Sequence, residues 1–157
     1  MNISPLELLK VATKMEDMGY NFYLELTAKT KSAELKKLFT KLSNDEKEHQ
    51  ITFKKIISTY TDLESDKQNY VDSAEVDAYL ITLLQADIFK EIARQKELLN
   101  ALYNEEKAIQ LGIEAEKQSI TLYNKLKELF IEPETHSILD NIISEEQKHQ
   151  KTLENLK

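Results

Sequence analysis

The sequence predicts an all-α protein, folded as a four-helix bundle that is built from two repeated helical hairpins. Its 157 residues include only two glycines and two prolines, and 31% of them are charged. Leucine, isoleucine, lysine and glutamate recur along most of the chain with the spacing of amphipathic helices. The pattern of residues 1–60 also returns, offset by 100 positions, in residues 101–157. We therefore expect a single domain in which two similar hairpins share one core.

Local signals mark the ends of the predicted helices. Ser4 is a suitable N-cap, Pro5 fits the first helical position and Glu7 completes a capping box. Pro133 likewise opens the last helix, which continues nearly to Lys157. Within each helix the apolar positions recur every three or four residues, as a buried stripe requires. The helices are predicted at residues 4–30, 33–60, 104–130 and 133–157.

The connection between the two hairpins is predicted to span residues 61–103. From Thr61 to Val71 the sequence is polar and irregular, as in a loop, whereas Val76 to Leu99 has a helical composition. A connection of this length lets the second and third helices run parallel. We therefore expect an extra helix within the crossover.

Two of the three histidines stand in a repeated sequence frame. The pattern Glu-x-x-His occurs twice, 100 residues apart, at Glu46/His49 and at Glu146/His149. Residues three apart on a helix share a face, so the two side chains of each pair can bind the same ligand. A further glutamate precedes each pair by thirty residues, and these two are Glu16 and Glu116.

These residues match the ligand set of a dinuclear metal site in a four-helix bundle. Glu46 and Glu146 are placed to bridge two ions, while Glu16 and Glu116 are placed as terminal ligands. Carboxylates with imidazoles suit two iron ions, or manganese, although Zn²⁺ can occupy the same ligands by affinity. The alternative is that Glu-x-x-His lies on solvated helix faces, but two copies in register favour the metal site. The predicted ligands are Glu16, Glu46, His49, Glu116, Glu146 and His149.

Two glycines and two tyrosines accompany the predicted ligands. Gly19 and Gly112 lie inside helices, one turn from a ligand, where each costs about 1 kcal/mol relative to alanine. They leave room either for metal and a small oxidant or for close helix packing. Tyr23 and Tyr123 follow the glutamate of their own helix by two turns, and helical side chains lean toward the N-terminus. Each phenol can therefore hydrogen-bond a ligand carboxylate, or it can simply pack in the core.

Other titratable residues near these motifs are assigned no part in the site. Asp45, Glu48 and Glu145 adjoin the ligands, but we expect them to point elsewhere on their helices. His136 is expected to be solvated in the first turn of the last helix. Without metal, the buried glutamates of the cluster should repel one another, which would raise their pKa values, and the two histidines should hold their protons more tightly.

With these residues placed, the chain resembles a rubrerythrin-related, ferritin-like di-iron carboxylate protein without a rubredoxin domain. The resemblance is carried by the Glu16…Tyr23 pattern with Glu46-Lys-Glu-His49, and by its second copy around Glu116, Tyr123 and His149. It implies a ferritin-like bundle and a non-haem di-iron oxidoreductase that reduces H₂O₂ or O₂. Two iron ions would be the cofactor, a rubredoxin or a reductase the separate electron donor, and Tyr23 and Tyr123 the catalytic residues beside the ligands.

Two departures from that family keep other functions open. Rubrerythrins usually carry a further glutamate three residues after the ligand on the third helix, where this chain has Ser119, and they append a cysteine-rich rubredoxin domain. The six-residue set resembles the ferroxidase centre of bacterioferritin more closely, although Lys47 replaces the haem-binding methionine of that family. The alternatives are a ferroxidase or iron-binding protein, and a catalytically silent helical interaction module.

Composition argues against several other classes of protein. A net charge of −7 is unsuited to nucleic acid, whose phosphates need a basic surface. The absence of cysteine excludes disulfides, thiol catalysis and a cysteine-ligated iron centre. No apolar run approaches the roughly 20 residues of a membrane-spanning helix, and residues 1–5 show no signal peptide. We expect a cytoplasmic homodimer that binds neither nucleic acid nor membrane.

Overall fold

Four α-helices make up nearly all of the described structure, which is a computed structural model. It describes residues 5–64, 94, 97, 103–130 and 132–156, and none of these residues lies in a β-strand. The all-α prediction is therefore confirmed. None of the described helices combines the length and the apolarity needed to cross a membrane. The helices are α1 (Pro5–Lys29), α2 (Ala33–Glu64), α3 (Glu105–Leu129) and α4 (Pro133–Glu154).

The described helix ends agree with the sequence signals, except that α2 ends later than predicted. At the start of α3, Asn104 is the N-cap, and its side chain accepts a hydrogen bond of 3.0 Å from the backbone N–H of Lys107. Pro133 opens α4 as expected. The segment from Thr61 was predicted as a loop, but α2 continues through its first four residues to Glu64. Helix propensities of ordinary residues differ by only about 0.7 kcal/mol per residue, so loss of the apolar stripe did not mark its end.

Some sequence predictions lie outside the described residues. These are the capping role of Ser4 and most of the predicted crossover over residues 61–103. Within the crossover helix predicted from Val76 to Leu99, only Arg94 and Glu97 are described, and both are helical.

The helices associate as two pairs. A connection of three residues, 30–32, joins α1 to α2, and these two helices make the most extensive contacts. The other pair is α3 with α4, and α1 and α3 are neighbours across the pairs. Beside the short connection, the hydroxyl of the buried Thr30 donates a hydrogen bond of 2.8 Å to Glu105 in the first turn of α3. The connection between α1 and α2 thus contacts the first turn of α3.

The buried side chains form two apolar clusters, one toward each end of the bundle. One is centred on Tyr23, Phe39 and Leu153, and the other on Leu9, Phe53 and Tyr123, with all four helices contributing to the core. On every helix, the predicted ligands occupy the turns between the residues of one cluster and those of the other. The fold therefore places a layer of acids and imidazoles in the middle of the bundle, enclosed by hydrocarbon at both ends.

Candidate metal centre

The six predicted ligands meet in this central layer. One glutamate comes from α1 and one from α3, while α2 and α4 each supply a glutamate and a histidine, and none of the six is more than 4% exposed. A buried carboxylate without a partner is energetically costly, so four of them in one layer require compensating charge. The residues are Glu16, Glu46, His49, Glu116, Glu146 and His149.

Their ligand atoms form two overlapping groups, and within each group the atoms lie no more than 4.8 Å apart. Glu46 and Glu146 belong to both groups, whereas each of the other residues belongs to one. The two carboxylates common to both groups are those predicted to bridge, and Glu16 and Glu116, each in one group, are those predicted to be terminal. The groups are Glu16, Glu46, His49 and Glu146, and Glu46, Glu116, Glu146 and His149.

Both histidines point Nδ1 toward the carboxylates. Nδ1 of His49 lies 3.1 Å from Oε1 of Glu146 and 3.5 Å from Oε2 of Glu16. Nδ1 of His149 lies 3.1 Å from Oε2 of Glu146 and 3.7 Å from a carboxylate oxygen of Glu116. The two imidazole rings are stacked, with centroids 6.0 Å apart. Nδ1 is therefore the nitrogen that each histidine offers to a metal.

The Nε2 atoms of the two histidines contact two acids that were not predicted to take part in the site. Nε2 of His49 lies 2.6 Å from Oε2 of Glu145, and Nε2 of His149 lies 3.1 Å from Oδ2 of Asp45. The prediction that these two acids point elsewhere and take no part was wrong. An Nε2–H that donates to a carboxylate leaves the lone pair on Nδ1, which is the form a metal needs. Glu48, the third acid set aside, is exposed.

The two acids differ in their surroundings. Asp45 also accepts a hydrogen bond of 2.5 Å from Lys41, so its charge is shared between a lysine and a histidine. Glu145 makes the shorter contact with its histidine. A signal for both was present in the sequence, because each acid immediately precedes a ligand glutamate at the same place in the repeat.

Each buried tyrosine donates a hydrogen bond to a terminal carboxylate on the other hairpin. The hydroxyl of Tyr23 donates to Oε1 of Glu116, and the hydroxyl of Tyr123 donates to Oε1 of Glu16. Both predicted phenol–carboxylate contacts are present, and they cross between α1 and α3. Burial, reinforced by the nearby carboxylates, raises the pKa of both phenols well above the ordinary value, so each remains a donor.

The glycines permit close approach of neighbouring side chains. A Cβ at Gly19 would lie 3.2 Å from the carboxyl carbon of Glu46, a predicted bridging ligand. A Cβ at Gly112 would lie 3.0 Å from Leu153 and 3.3 Å from the hydroxyl of Tyr23. Of the two explanations for these glycines, close packing accounts for both contacts, and the side chain packed on Gly19 is that of a predicted ligand.

The cluster shifts the proton equilibria of its members in different directions. Burial, with repulsion from Glu46, raises the pKa of both Glu16 and Glu116 well above the ordinary value. Burial alone would do the same for Glu146, but contacts with His149 and His49 lower its pKa to about 2. The expectation that the buried glutamates would all shift upward was therefore wrong for Glu146, since it alone lies 3.1 Å from both imidazoles.

The histidines follow the predicted direction. Burial alone would lower the pKa of His49, but the adjacent carboxylates of Glu146 and Glu16 raise it to about 12. The pKa of His149 is raised as well, because Glu116 and Glu146 outweigh the effect of burial. Positive charge is thus stabilised in the centre of the cluster.

Three buried atoms of the cluster have no hydrogen-bond partner among the described residues. They are Oε2 of Glu16, Nδ1 of His49 and Oε1 of Glu146. The last two are only 3.1 Å apart, but their alignment is unsuitable for a hydrogen bond. All three belong to one of the two ligand groups, and a single cation bound among them would satisfy all of them. The residues therefore fit a bound metal.

Comparisons with known proteins identify the family and the fold of the chain. The family model described as rubrerythrin matches residues 7–157. Among solved structures, a provisionally assigned ferritin-like diiron-carboxylate protein from Thermotoga maritima matches with a TM-score of 0.70 and 23% sequence identity. That match covers 98% of this chain and 94% of the other chain, and it shows the ferritin-like fold. A comparison with curated protein sequences finds no significant match. Because the family model spans nearly the whole sequence, the chain belongs to the rubrerythrin family.

Proposed function

We propose that this protein is a non-haem di-iron oxidoreductase that reduces H₂O₂ or O₂ with electrons from a separate donor. The observation that supports this most is the pair of overlapping ligand groups that share Glu46 and Glu146. When bound there, two iron ions supply the two electrons that cleavage of one O–O bond requires. Hard carboxylates with one imidazole for each ion are suited to iron and also accept manganese.

The protein orients the terminal ligands through the tyrosines. Glu16 and Glu116 each accept a hydrogen bond from a phenol on the opposite hairpin. Because their pKa values are raised by burial, Tyr23 and Tyr123 keep their protons at neutral pH. They fix the carboxylates and hold a proton at the edge of the centre. Reduction of H₂O₂ to water consumes two protons, so donors at this position suit the reaction.

The histidines are oriented by the acids behind them, and the apolar clusters limit access of water. Glu145 holds His49 and Asp45 holds His149, each from the neighbouring helix, which directs both Nδ1 atoms inward. Above and below the layer, Phe53 and Leu153 are fully buried. Exclusion of bulk water strengthens every electrostatic contact in the site and protects reactive species from side reactions.

A ferroxidase, whose substrate is Fe²⁺ itself, is the second candidate. The observation that favours it is the ligand set of six residues, in which Ser119 supplies no seventh carboxylate. The two functions differ in what they consume. An oxidoreductase turns over with an external reductant, whereas a ferroxidase consumes excess Fe²⁺ and accumulates ferric product.

The test is rapid-mixing oxidation of the Fe²⁺-loaded protein by H₂O₂ and by O₂, followed by a steady-state assay with a chemical reductant. We expect faster oxidation by H₂O₂ and repeated turnover. The matched control is the Glu46→Gln/Glu146→Gln double variant, which keeps the side-chain shapes but removes both bridging charges. A single turnover that leaves a ferric mineral would reject the oxidoreductase and favour the ferroxidase.

A further inference from the structure

A cavity of about 370 Å³ lies between α1 and α3 and extends to the metal centre. Its inner end is formed by Glu46 and Glu116, together with Tyr23, whose hydroxyl donates to Glu116. At the other end lie Asp17 and Met18, which are both exposed. The cavity therefore connects the protein surface with two of the predicted metal ligands.

The cavity is much larger than H₂O₂ or O₂ requires. A water molecule in the liquid takes about 30 Å³, and H₂O₂ is only slightly larger. Sites that bind small organic molecules usually measure roughly 300–1,000 Å³, and this cavity falls within that range. Its size therefore indicates an organic ligand rather than O₂ or H₂O₂ alone.

Apolar atoms contribute most of the surface of the cavity. Besides those at the inner end, the polar residues that line it are Asp17, Asn21, Glu25, Gln118 and Ser119. Met15, Met18 and Phe22 line it from α1, and Ala115 lines it from α3. Methionine side chains are flexible and polarizable, so they adapt to ligands of irregular shape. Two carboxylates and a phenol stand at the inner end. A molecule that matches this distribution has a hydrocarbon body and one polar end.

We infer that the cavity binds an organic hydroperoxide, ROOH, with its O–O group at Glu46 and Glu116 and its hydrocarbon part against Met15, Met18 and Phe22. This inference rests on the proposed oxidoreductase function and names the substrate class of the same site. The O–O bond breaks, and ROOH with two electrons and two protons gives ROH and water. The external reductant would supply the electrons, the metal held by the six predicted ligands would supply the redox chemistry, and the protons come from solvent.

Two methionines provide a direct probe of binding. Met15 and Met18 line the cavity. The full-length protein, labelled with ¹³C at the methionine methyl groups and loaded with diamagnetic Zn²⁺, is titrated with 2-phenyl-2-propanol, the alcohol formed from cumene hydroperoxide. We expect saturable shifts of the Met15 and Met18 resonances.

A pair of variants tests whether the ligand binds in the cavity. Ala115→Met adds a long side chain to the cavity wall at the position whose repeat counterpart is Met15. The matched control, Thr121→Met, adds the same side chain at an exposed position of α3 that does not line the cavity. Ala115→Met should weaken binding of the alcohol about tenfold or more, as volume changes in apolar pockets do, and Thr121→Met should not. Zinc stoichiometry and circular dichroism verify that both variants remain folded and metal-loaded.

Turnover measurements on the iron-loaded protein complete the test. For wild type, we expect reduction of cumene hydroperoxide as well as H₂O₂, and Ala115→Met should lower the ratio of the two kcat/KM values. If the Met15 and Met18 resonances stay unshifted and the ratio is the same in both variants, the inference is overturned, while H₂O₂ reduction would leave the proposed function intact. Binding of the alcohol without reduction of either peroxide would contradict the proposed function, and the substrate assignment with it.

Discussion

The pH dependence of the stability of the metal-free protein tests the central cluster most directly. The carboxylates around His49 outweigh its burial and raise its pKa to about 12, and the pKa of His149 is raised for the same reason. A raised folded pKa means that the native state binds more protons than the unfolded chain. The resulting stability is fully present below the unfolded value of about 6.5 and is lost as the pH rises through the folded value.

The size of the effect follows from this difference. Between about pH 5.5 and about pH 7.5, an unfolded histidine releases its proton while the native one keeps it, which lowers the free energy of unfolding by about 1.4 kcal/mol. Both histidines together contribute about 2.7 kcal/mol, whatever their folded pKa, provided that it lies well above 7.5. Glu16 and Glu116 act in the same direction, because their pKa values are also raised. Glu146, with a pKa of about 2, is ionised in both states throughout this range and adds no slope.

Chemical denaturation of the metal-free protein at both pH values measures this loss. The His49→Gln/His149→Gln double variant should lose about 2.7 kcal/mol less than wild type over the same range. His136→Gln is the matched control, because it removes the remaining histidine, whose Nε2 contacts the carbonyl of Phe130 outside the cluster. General repulsion from the net charge of −7 lowers the free energy of unfolding of all these proteins similarly, so it cancels in the comparison.

Imidazole NMR resonances provide a second measurement on the same proteins. The chain has three histidines, so each resonance can be assigned by the loss of one signal in a single variant. Signals of His49 and His149 that titrate with midpoints near 6.5 would refute the reasoning, as would equal pH dependence of unfolding in wild type and the double variant. Either result would mean that the carboxylates do not surround the histidines as described.

Three further predictions concern the metal and its supports. Metal titration should saturate at two ions per chain, about 3.5–4 Å apart by X-ray absorption, and saturation at one ion would exclude a dinuclear site. Gly19→Ala should weaken metal binding, since the added Cβ displaces a predicted bridging carboxylate. Gly112→Ala should weaken it less, since its Cβ meets Leu153 and the hydroxyl of Tyr23 rather than a predicted ligand, as parallel metal titrations will determine. Glu145→Gln should lower the affinity for one ion about 10–100-fold. Asp45→Asn should do less, because Asp45 shares its charge with Lys41, and equal effects in calorimetric titration would contradict this ranking.

The sequence was sufficient to predict the six clustered residues because their spacing is a property of single helices. A period of 3.6 residues places His49 on the same face as Glu46, and the repeat places a second set in register. The same reasoning could not find the contact between Asp45 and His149, or which carboxylate each tyrosine would reach. Those contacts join different helices, and they depend on the relative positions of α1 and α3, and of α2 and α4.

The pKa values of the buried glutamates also depend on contacts between different helices, which the sequence does not reveal. From the sequence, mutual repulsion is expected to raise the pKa values of all four buried glutamates. In the structure, Glu146 lies 3.1 Å from the imidazoles of both His49 and His149, and its pKa falls to about 2. Burial alone therefore does not set the charge of a residue in this layer. The positions of the two imidazoles decide it, and only the packed bundle supplies those positions.

The crossed contacts link metal binding to the association of the two hairpins. Tyr23 on α1 holds Glu116 on α3, and Glu145 on α4 holds His49 on α2, so each hairpin orients ligands of the other. Each ligand group likewise contains residues of both hairpins. A hairpin by itself would have its glutamate and histidine ligands without their supporting partners. Since the complete site exists only when the hairpins are docked, the free energy of metal binding stabilises their docking, and the duplicated sequence functions as one unit.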